Sequence, residues 1–200
     1  MAATSDKRID DLKRRVAGGY QLLQALVGIR LRVVTDPESR RHLTWLSDVA
    51  AALSLMNRRV LDEGPVDFAG YLEDAAGFWR RSSAGESLRF DVRASGAPLP
   101  ESLAQSLAII VHELVANAVR HAFPDGARGS VAIALSRSSD GISLVVRDTG
   151  VGASEPKVGE GLSMVTGLVD HLGGDIAFET APNSGFGVRI RLPLDGARAH

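Results

Sequence analysis

The sequence predicts an α+β protein in which an antiparallel helical hairpin precedes helices packed on one face of a mostly antiparallel sheet. Two observations predict this fold class. Apolar residues recur at spacings of three and four before Gly64-Pro65, and after it helical and alternating segments follow in the order α-β-α-β-β-α-β-β. We therefore expect a hairpin domain over residues 1–64 and a mixed domain over residues 65–200.

Composition excludes several classes of protein. Hydrophobic residues make up 44% and charged residues 24% of the 200 residues, which excludes wholesale disorder. A net charge of −1 gives no basic field for nucleic acid, and the absence of cysteine excludes disulfides and thiolate catalysis. The apolar stretches are shorter than the roughly 20 residues that span a bilayer. We expect a cytoplasmic protein with no nucleic-acid partner and no membrane insertion.

The two predicted N-terminal helices each carry an apolar stripe. Asp36-Pro37 predicts the start of the second helix, since aspartate caps helices and proline suits their first turn. A hairpin cannot bury two such wide stripes by itself, so we expect two chains to pair as a homodimer through a four-helix bundle. The stripes comprise Ile9, Leu12, Val16, Leu23 and Leu26, then Leu43, Leu46, Ala50, Leu53 and Val60.

Capping residues, prolines and alternation predict the elements of the second part. Asp67 predicts a helix that runs to about Arg81, and Leu88–Ala94 alternate as a strand with one buried face. Pro100 opens a long helix to about Phe123. Later elements are strands at Val131–Ser136, Ile142–Asp148, Asp175–Thr180 and Phe186–Leu192, with a helix at Leu162–Leu172.

The segment His112–Phe123 (HELVANAVRHAF) on the long helix is the first of three that could carry chemistry. Glu113 and Asn117 are four residues apart and so share a helix face. A carboxylate beside a carboxamide can orient a water and offer an oxygen ligand to Mg²⁺. Arg120 and His121, one turn on, could meet phosphate oxygens. An ordinary solvated polar face is the alternative explanation.

Two glycine-containing segments follow. In Asp148–Gly152 (DTGVG) a carboxylate ends a strand and the glycines allow a flat ligand to approach, so Asp148 could read an adenine amino group. A plain turn is the alternative, because Asp and Gly are turn residues. In Gly159–Val165 (GEGLSMV) glycines precede a helix, whose N-terminal amides form an anion site. Gly-x-Gly by itself is weak evidence.

In this order and on these elements, the three segments resemble the N, G1 and G2 boxes of the GHKL ATPases, most closely those of histidine kinases. The run GLSMVTGLVDHLGGDIAFETAPNSGFGVRIRLPL is similar to the end of a kinase ATP-binding domain. The resemblance covers nearly the whole chain after Pro65. It implies a GHKL (Bergerat-type) α/β sandwich that binds ATP and Mg²⁺, and such pockets transfer phosphoryl groups mainly by positioning and charge neutralisation.

The resemblance also assigns roles to residues. It implies that Glu113 is the catalytic carboxylate, which activates water or accepts a proton, that Asn117 is the magnesium ligand and that Asp148 reads adenine. The nucleotide-binding set that it implies is Asn117, Arg120, His121, Asp148, Gly150, Gly152, Gly159, Gly161 and Leu162.

The first helix resembles the phosphoacceptor box of a soluble kinase subfamily related to the HWE kinases. Arg15, Val16 and Gln21 in RRVAGGYQ match that box, whereas Arg14 stands where the acceptor histidine belongs. A guanidinium stays protonated with its lone pairs delocalised, so it cannot accept the γ-phosphate as a neutral imidazole does. We therefore expect no autophosphorylation at this position. His42 on the second helix is an alternative acceptor.

Two further departures from the family pattern concern the pocket. The segment ASEPKV between Gly152 and Gly159 is short for the family's lid, and Phe186 stands where the family usually carries a threonine. Both departures affect the nucleotide pocket and not the fold.

Three functions are open at the level of the sequence. The first is a histidine-kinase-like two-component signalling protein that binds Mg·ATP, lacks its own acceptor, and acts through a response regulator receiver domain or a partner kinase. The second is an active kinase that phosphorylates a partner's histidine or serine in trans. The third is an interaction scaffold that no longer binds nucleotide. Whether the chain is an enzyme stays open among them.

Overall fold

The computed structural model describes residues 2–60, 64–82, 87–96, 98–156 and 159–193, with the backbone alone for residues 2–15, 17 and 82. Contacts divide the chain into two compact units. The first comprises Met1–Tyr71 and Leu99–His112, and the second comprises Leu72–Pro98 and Glu113–His200. The domain boundary expected between residues 64 and 65 stays a prediction.

Two helices that pack against each other, α1 (Ala2–Leu31) and α2 (Pro37–Asn57), form a hairpin in the first unit. Asp36 caps α2 as expected, because its Oδ2 accepts a hydrogen bond from the Ser39 N–H at 2.7 Å. The helix α1 begins at Ala2, whereas the apolar stripe begins only at Ile9.

The side chain of Arg40 spans the connection between the two helices. The guanidinium of Arg40 donates hydrogen bonds to the carbonyls of Leu31, at 2.6 Å, and Val34, at 2.8 Å. The last carbonyls of a helix have no partner within it, so a cation donor at this place satisfies the end of α1 and neutralises its dipole. The hairpin turn is therefore a consequence of local chemistry.

The helix α1 has one covered face and one exposed face. Tyr20, Gln24, Val27 and Leu31 are buried or half-buried. At about 100° of rotation per residue, the opposite side of the helix carries an outer stripe of three apolar side chains. These are Leu22, Leu26 and Ile29, which are 62%, 55% and 62% exposed. The hairpin leaves this outer stripe uncovered.

The second unit is built on a five-stranded sheet in the order β1-β2-β3-β5-β4. The pair β1 and β2 is parallel and the other neighbours are antiparallel, which confirms the mostly antiparallel sheet. The helices and strands that follow residue 64 are α3 (Phe68–Ser82), β1 (Leu88–Ala94), α4 (Glu101–His121), β2 (Gly129–Ser138), β3 (Gly141–Asp148), α5 (Glu160–His171), β4 (Asp175–Thr180) and β5 (Phe186–Leu192). Of these, α3 up to Tyr71 and α4 up to His112 belong to the first unit.

Strand register brings a polar residue onto the buried face of this sheet. Ile142, Leu144 and Val146 are buried, and Asp148 follows them at the same two-residue period. Across the ladder Asp148 lies opposite Val131, which is fully buried. The strand β3 therefore delivers a carboxylate to the core side of the sheet at the point where the strand ends.

The helix α4 is apolar over much of its length. Among the described residues, α4 has the length and the apolar composition that a membrane-crossing helix needs. However, 56% of its most apolar 18-residue stretch is buried inside the protein. Leu107 and Val111 are fully buried on it. The buried share of α4 is typical of a core helix of a folded protein.

Candidate functional site

A cavity of about 460 Å³ lies in the second unit, where β3 ends. Residues of α4, β3, β5 and the start of α5 line it, together with the segment that follows β3. Seven predicted site residues are in its wall, namely Asn117, His121, Asp148, Gly152, Gly159, Gly161 and Leu162. The remaining wall is Leu114, Ala118, Ala122, Val146, Val151, Ala153, Phe186 and Val188.

One wall of the cavity comes from α4. Leu114, Asn117, Ala118 and His121 recur at spacings of three and four and so share one helix face. Leu114 and Ala118 are buried, Asn117 is half-buried and His121 is exposed. The wall is therefore apolar inside and polar toward its edge.

Asp148 is the buried charge of the site, with 4% of its surface exposed. Its Oδ1 accepts hydrogen bonds from the Gly150 N–H at 2.8 Å and from the Phe186 N–H at 3.2 Å. Within the described part of the chain, its Oδ2 accepts none. Burial raises the pKa of this carboxyl group, although both hydrogen bonds and the charge of Arg147 act to lower it.

Close backbone packing surrounds Asp148. A Cβ added at Gly185, where φ is +74°, would overlap the carbonyl oxygen of Asp148. A Cβ added at Gly150 would overlap the carbonyl oxygen of Ala122, at the end of the α4 segment. Only glycine allows these approaches, so Gly150 acts as a packing and hydrogen-bonding residue beside the cavity, and it does not line the wall.

Glu113 is 3% exposed and lies against the first turn of α5. A Cβ added at Gly161 would overlap its Oε1 and would lie 2.8 Å from its Cδ. Arg120, seven residues later on α4, places its Nη2 3.8 Å from the same Oε1. Glu113 and Arg120 thus form a pair beside the cavity and outside its lining.

The helix α5 begins at the cavity. Gly159 is its N-cap in an extended conformation, and no side chain among the described residues caps it. The first N–H groups of a helix lack acceptors within the helix and carry the positive end of its dipole. The start of α5 therefore favours an anionic group, and Asn117 and His121 of α4 line the same cavity.

Arg14, at the acceptor position of the phosphoacceptor box, lies on α1 in the first unit, and its side chain is outside the described residues. His42 is exposed on α2. Of the predicted lid ASEPKV, Lys157 and Val158 are also outside the described residues.

Comparison with known families bears on this arrangement. Residues 102–196 match the family of histidine kinase-, DNA gyrase B- and HSP90-like ATPases. The matched range begins in α4 and includes β2, β3, α5, β4 and β5. Glu113, Asn117, Asp148 and Gly161 all lie in the matched range.

Two sensor histidine kinases are similar to the chain in sequence. PdtaS of Mycobacterium tuberculosis is 29% identical over 207 residues, covering 96% of this chain and 40% of PdtaS. LnrJ of Bacillus subtilis is 35% identical over 112 residues, covering 56% of this chain and 27% of LnrJ. The chain thus spans well under half the length of these two relatives.

A solved histidine kinase shares the fold. The blue-light-activated histidine kinase EL346 of Erythrobacter litoralis superposes with a TM-score of 0.73 at 25% identity, covering 96% of this chain and 62% of that chain. Together with the family match and the similar sensor kinases, this likeness confirms the resemblance to histidine kinases.

Most of the apolar residues that line the cavity are not among the site residues predicted from the sequence. Val146 and Val188 are ordinary strand residues in their own segments, and nothing local distinguishes them from other core valines. Strand register could have found them, because Val146 pairs with Val188 and precedes Asp148 by two. In the sequence Phe186 is only a departure from the family pattern, whereas in the structure its backbone N–H donates to the Oδ1 of Asp148.

We expect Asp148→Asn to raise the melting temperature of the protein more at pH 7 than at pH 4. Because burial raises the native pKa of Asp148 above its ordinary value of 3.8, the stability at this site is fully present below that value. This stability is lost as the pH rises through the raised native pKa of Asp148. Asparagine carries no charge at either pH, so the variant does not lose it.

Calorimetric melting curves across this pH range measure the difference. Asp140→Asn, in the exposed turn between β2 and β3, is the matched control. Equal shifts of melting temperature for Asp148→Asn at both pH values would contradict the expectation.

Proposed function

We propose that the chain is a histidine-kinase-like signalling protein that binds Mg·ATP in this cavity. The carrying observation is Asp148, whose Oδ1 is held by two backbone N–H groups while its Oδ2 is left for a donor from a ligand. The amino group of adenine is such a donor. Apolar walls from Val146 and Val151 suit the faces of a flat base.

The start of α5 and the neighbouring face of α4 suit a triphosphate. The N-terminus of α5 favours anions, and Asn117 supplies a neutral oxygen ligand at the cavity edge. No group of three or more His, Cys, Asp or Glu residues that could hold a metal occurs in the part of the chain that the structure describes. A lone carboxamide fits a Mg²⁺ ion that keeps several waters and takes its remaining ligands from phosphate oxygens. When bound, this ion would neutralise phosphate charge.

Glu113 is proposed as the catalytic carboxylate. It lies against Gly161 in the first turn of α5, on the same side as the proposed phosphate site. A carboxylate there can orient an attacking group and take its proton. Arg120 would partly balance its charge and would be close enough to share its donors with phosphate oxygens.

Arg14 leads us to propose that the protein has no acceptor of its own. This part of the proposal rests on the chemistry of the guanidinium group, which offers no lone pair to a phosphorus atom. The proposed partner is a response regulator receiver domain or a partner kinase. The cytoplasmic location stays a prediction.

Phosphorylation of a partner in trans is the second candidate function. The observation that favours it is that Asn117 and Asp148 both line the cavity and that Glu113 lies beside it, against Gly161 of α5. A scaffold that has lost nucleotide binding would need Asp148 only for the packing of the second unit.

We also propose that the chain forms a homodimer through its hairpin. The outer stripe of Leu22, Leu26 and Ile29 is more than half exposed and lies opposite the covered face of α1. A second copy that presents the same stripe would bury both stripes, as in a four-helix bundle.

The unmodified protein is expected to bind Mg·ATP in calorimetric titration, and Asp148→Ala and Asn117→Ala are expected to weaken binding at least about tenfold. The first change removes the acceptor for the adenine amino group, and a hydrogen bond with a charged partner contributes about 1.5–3 kcal/mol. Asp140→Ala, in an exposed turn, is the matched control. Absence of heat from the unmodified protein, with an unchanged melting temperature, would favour the scaffold.

We expect no phosphohistidine after incubation with γ-labelled ATP, and we expect Arg14→His to acquire an acid-labile label. The substitution supplies a neutral imidazole nitrogen where the guanidinium offers none. Arg15→His, one position along α1, is the matched control. Label on a histidine of the unmodified chain would refute the absence of an acceptor, whereas Glu113-dependent label on an added partner would favour phosphorylation in trans.

The unmodified protein is expected to sediment near twice its chain mass of 21.2 kDa. Leu26→Glu should shift it toward the mass of one chain, because a carboxylate would be buried in an apolar dimer interface. Gln21→Glu adds the same charge at an exposed position away from the outer stripe and serves as the control. A single-chain mass for the unmodified protein would refute the homodimer.

A further inference from the structure

The hydroxyl group of Thr180 links a residue of the cavity wall to a residue next to Phe186. Thr180 is the last residue of β4, and its Oγ1 accepts a hydrogen bond from the Ala153 N–H at 2.9 Å. The same hydroxyl has two carbonyl acceptors in reach, Ala153 at 3.2 Å and Gly185 at 3.1 Å. The Thr180 side chain therefore joins the segment that follows β3 to the turn that precedes β5.

Both partners of this hydroxyl belong to the cavity or to its support. Ala153 is in the cavity wall. Gly185 precedes Phe186, whose N–H holds the Oδ1 of Asp148. A shift of either partner would change the space beside the Asp148 carboxylate or the geometry of the carboxylate itself.

Backbone contacts hold the neighbouring residues without the help of Thr180. The Asn183 N–H donates to the Val151 carbonyl at 2.7 Å, and the Gly185 N–H donates to the Gly150 carbonyl at 3.1 Å. The next hydrogen bond along the segment that follows β3 runs from the Ala153 N–H to the Thr180 hydroxyl. Loss of the hydroxyl should therefore release Ala153 and leave the β4–β5 turn in place.

We propose that Thr180 is a positioning residue for nucleotide binding, in that its hydroxyl clamps Ala153 against the turn before Phe186 and so sets one wall of the base pocket. This inference rests on the proposed binding of Mg·ATP. Thr180 touches no ligand in this role and acts through Ala153 and Gly185.

Thr180→Val tests the clamp, because valine keeps the β-branched shape that suits a strand and lacks the hydroxyl. Thr180→Ser keeps the hydroxyl and is the conservative variant. Thr166→Val is the matched control, since the Thr166 hydroxyl donates to the Leu162 carbonyl within α5 and takes no part in the clamp. Amide spectra of the sheet residues verify that each variant is folded.

Two measurements are made on all four proteins. Hydrogen exchange at the Ala153 N–H should become about tenfold faster in Thr180→Val and stay within about twofold of the unmodified rate in the other two variants. The Kd for Mg·ATP should rise about tenfold in Thr180→Val alone.

The outcomes separate this inference from the proposed function. If the unmodified protein binds Mg·ATP and Thr180→Val binds it equally well, the positioning role is wrong and the proposed function stands. An equal loss of affinity in Thr166→Val would also overturn the role. If the unmodified protein binds no Mg·ATP, the proposed function and the nucleotide role of Thr180 both fail, and faster exchange at Ala153 would then support the clamp alone.

Discussion

A carboxylate buried at the end of a strand constrains much of the second unit. Removing the charge of Asp148 from water is costly, and the cost is offset only if polar groups meet it inside the protein. The N–H groups of Gly150 and Phe186 do so, and they come from two segments far apart in sequence. The end of β3, the segment that follows it and the start of β5 must therefore converge, and the cavity lies where they meet.

The helix α4 satisfies two demands with one sequence. Its apolar residues fill the core, and its polar residues gather beside the start of α5. Glu113 can be buried there because Gly161 has no side chain to displace it and because Arg120 lies within ion-pair distance. The glycines of the α5 segment thus serve the carboxylate of another helix as well as the N-terminus of their own.

The hairpin depends on different physics. Asp36 and Arg40 define its turn through local hydrogen bonds, and these contacts need nothing from the second unit. In a single chain the apolar outer stripe of α1 is exposed to solvent. Burial of this apolar surface would be the driving force for the proposed dimer. Signalling by a histidine-kinase-like protein would use both parts, the ATPase domain for nucleotide and the hairpin for partners.

The sequence by itself determined the element order, the cap of α2, the mostly antiparallel sheet and the three segments that resemble the boxes of the GHKL ATPases. Periodicity, capping and spacing act over a few residues, so they are legible without a structure. Only the tertiary structure decided that Gly150 supports Asp148 from outside the wall, that the Phe186 backbone holds it, that Gly161 makes room for Glu113 and that Thr180 bridges two segments. These contacts join residues up to 48 positions apart, as in the pair Glu113 and Gly161, and they depend on strand register and helix packing. Local sequence does not specify that register to within one residue, and a shift of one residue would turn Asp148 to the other face of the sheet.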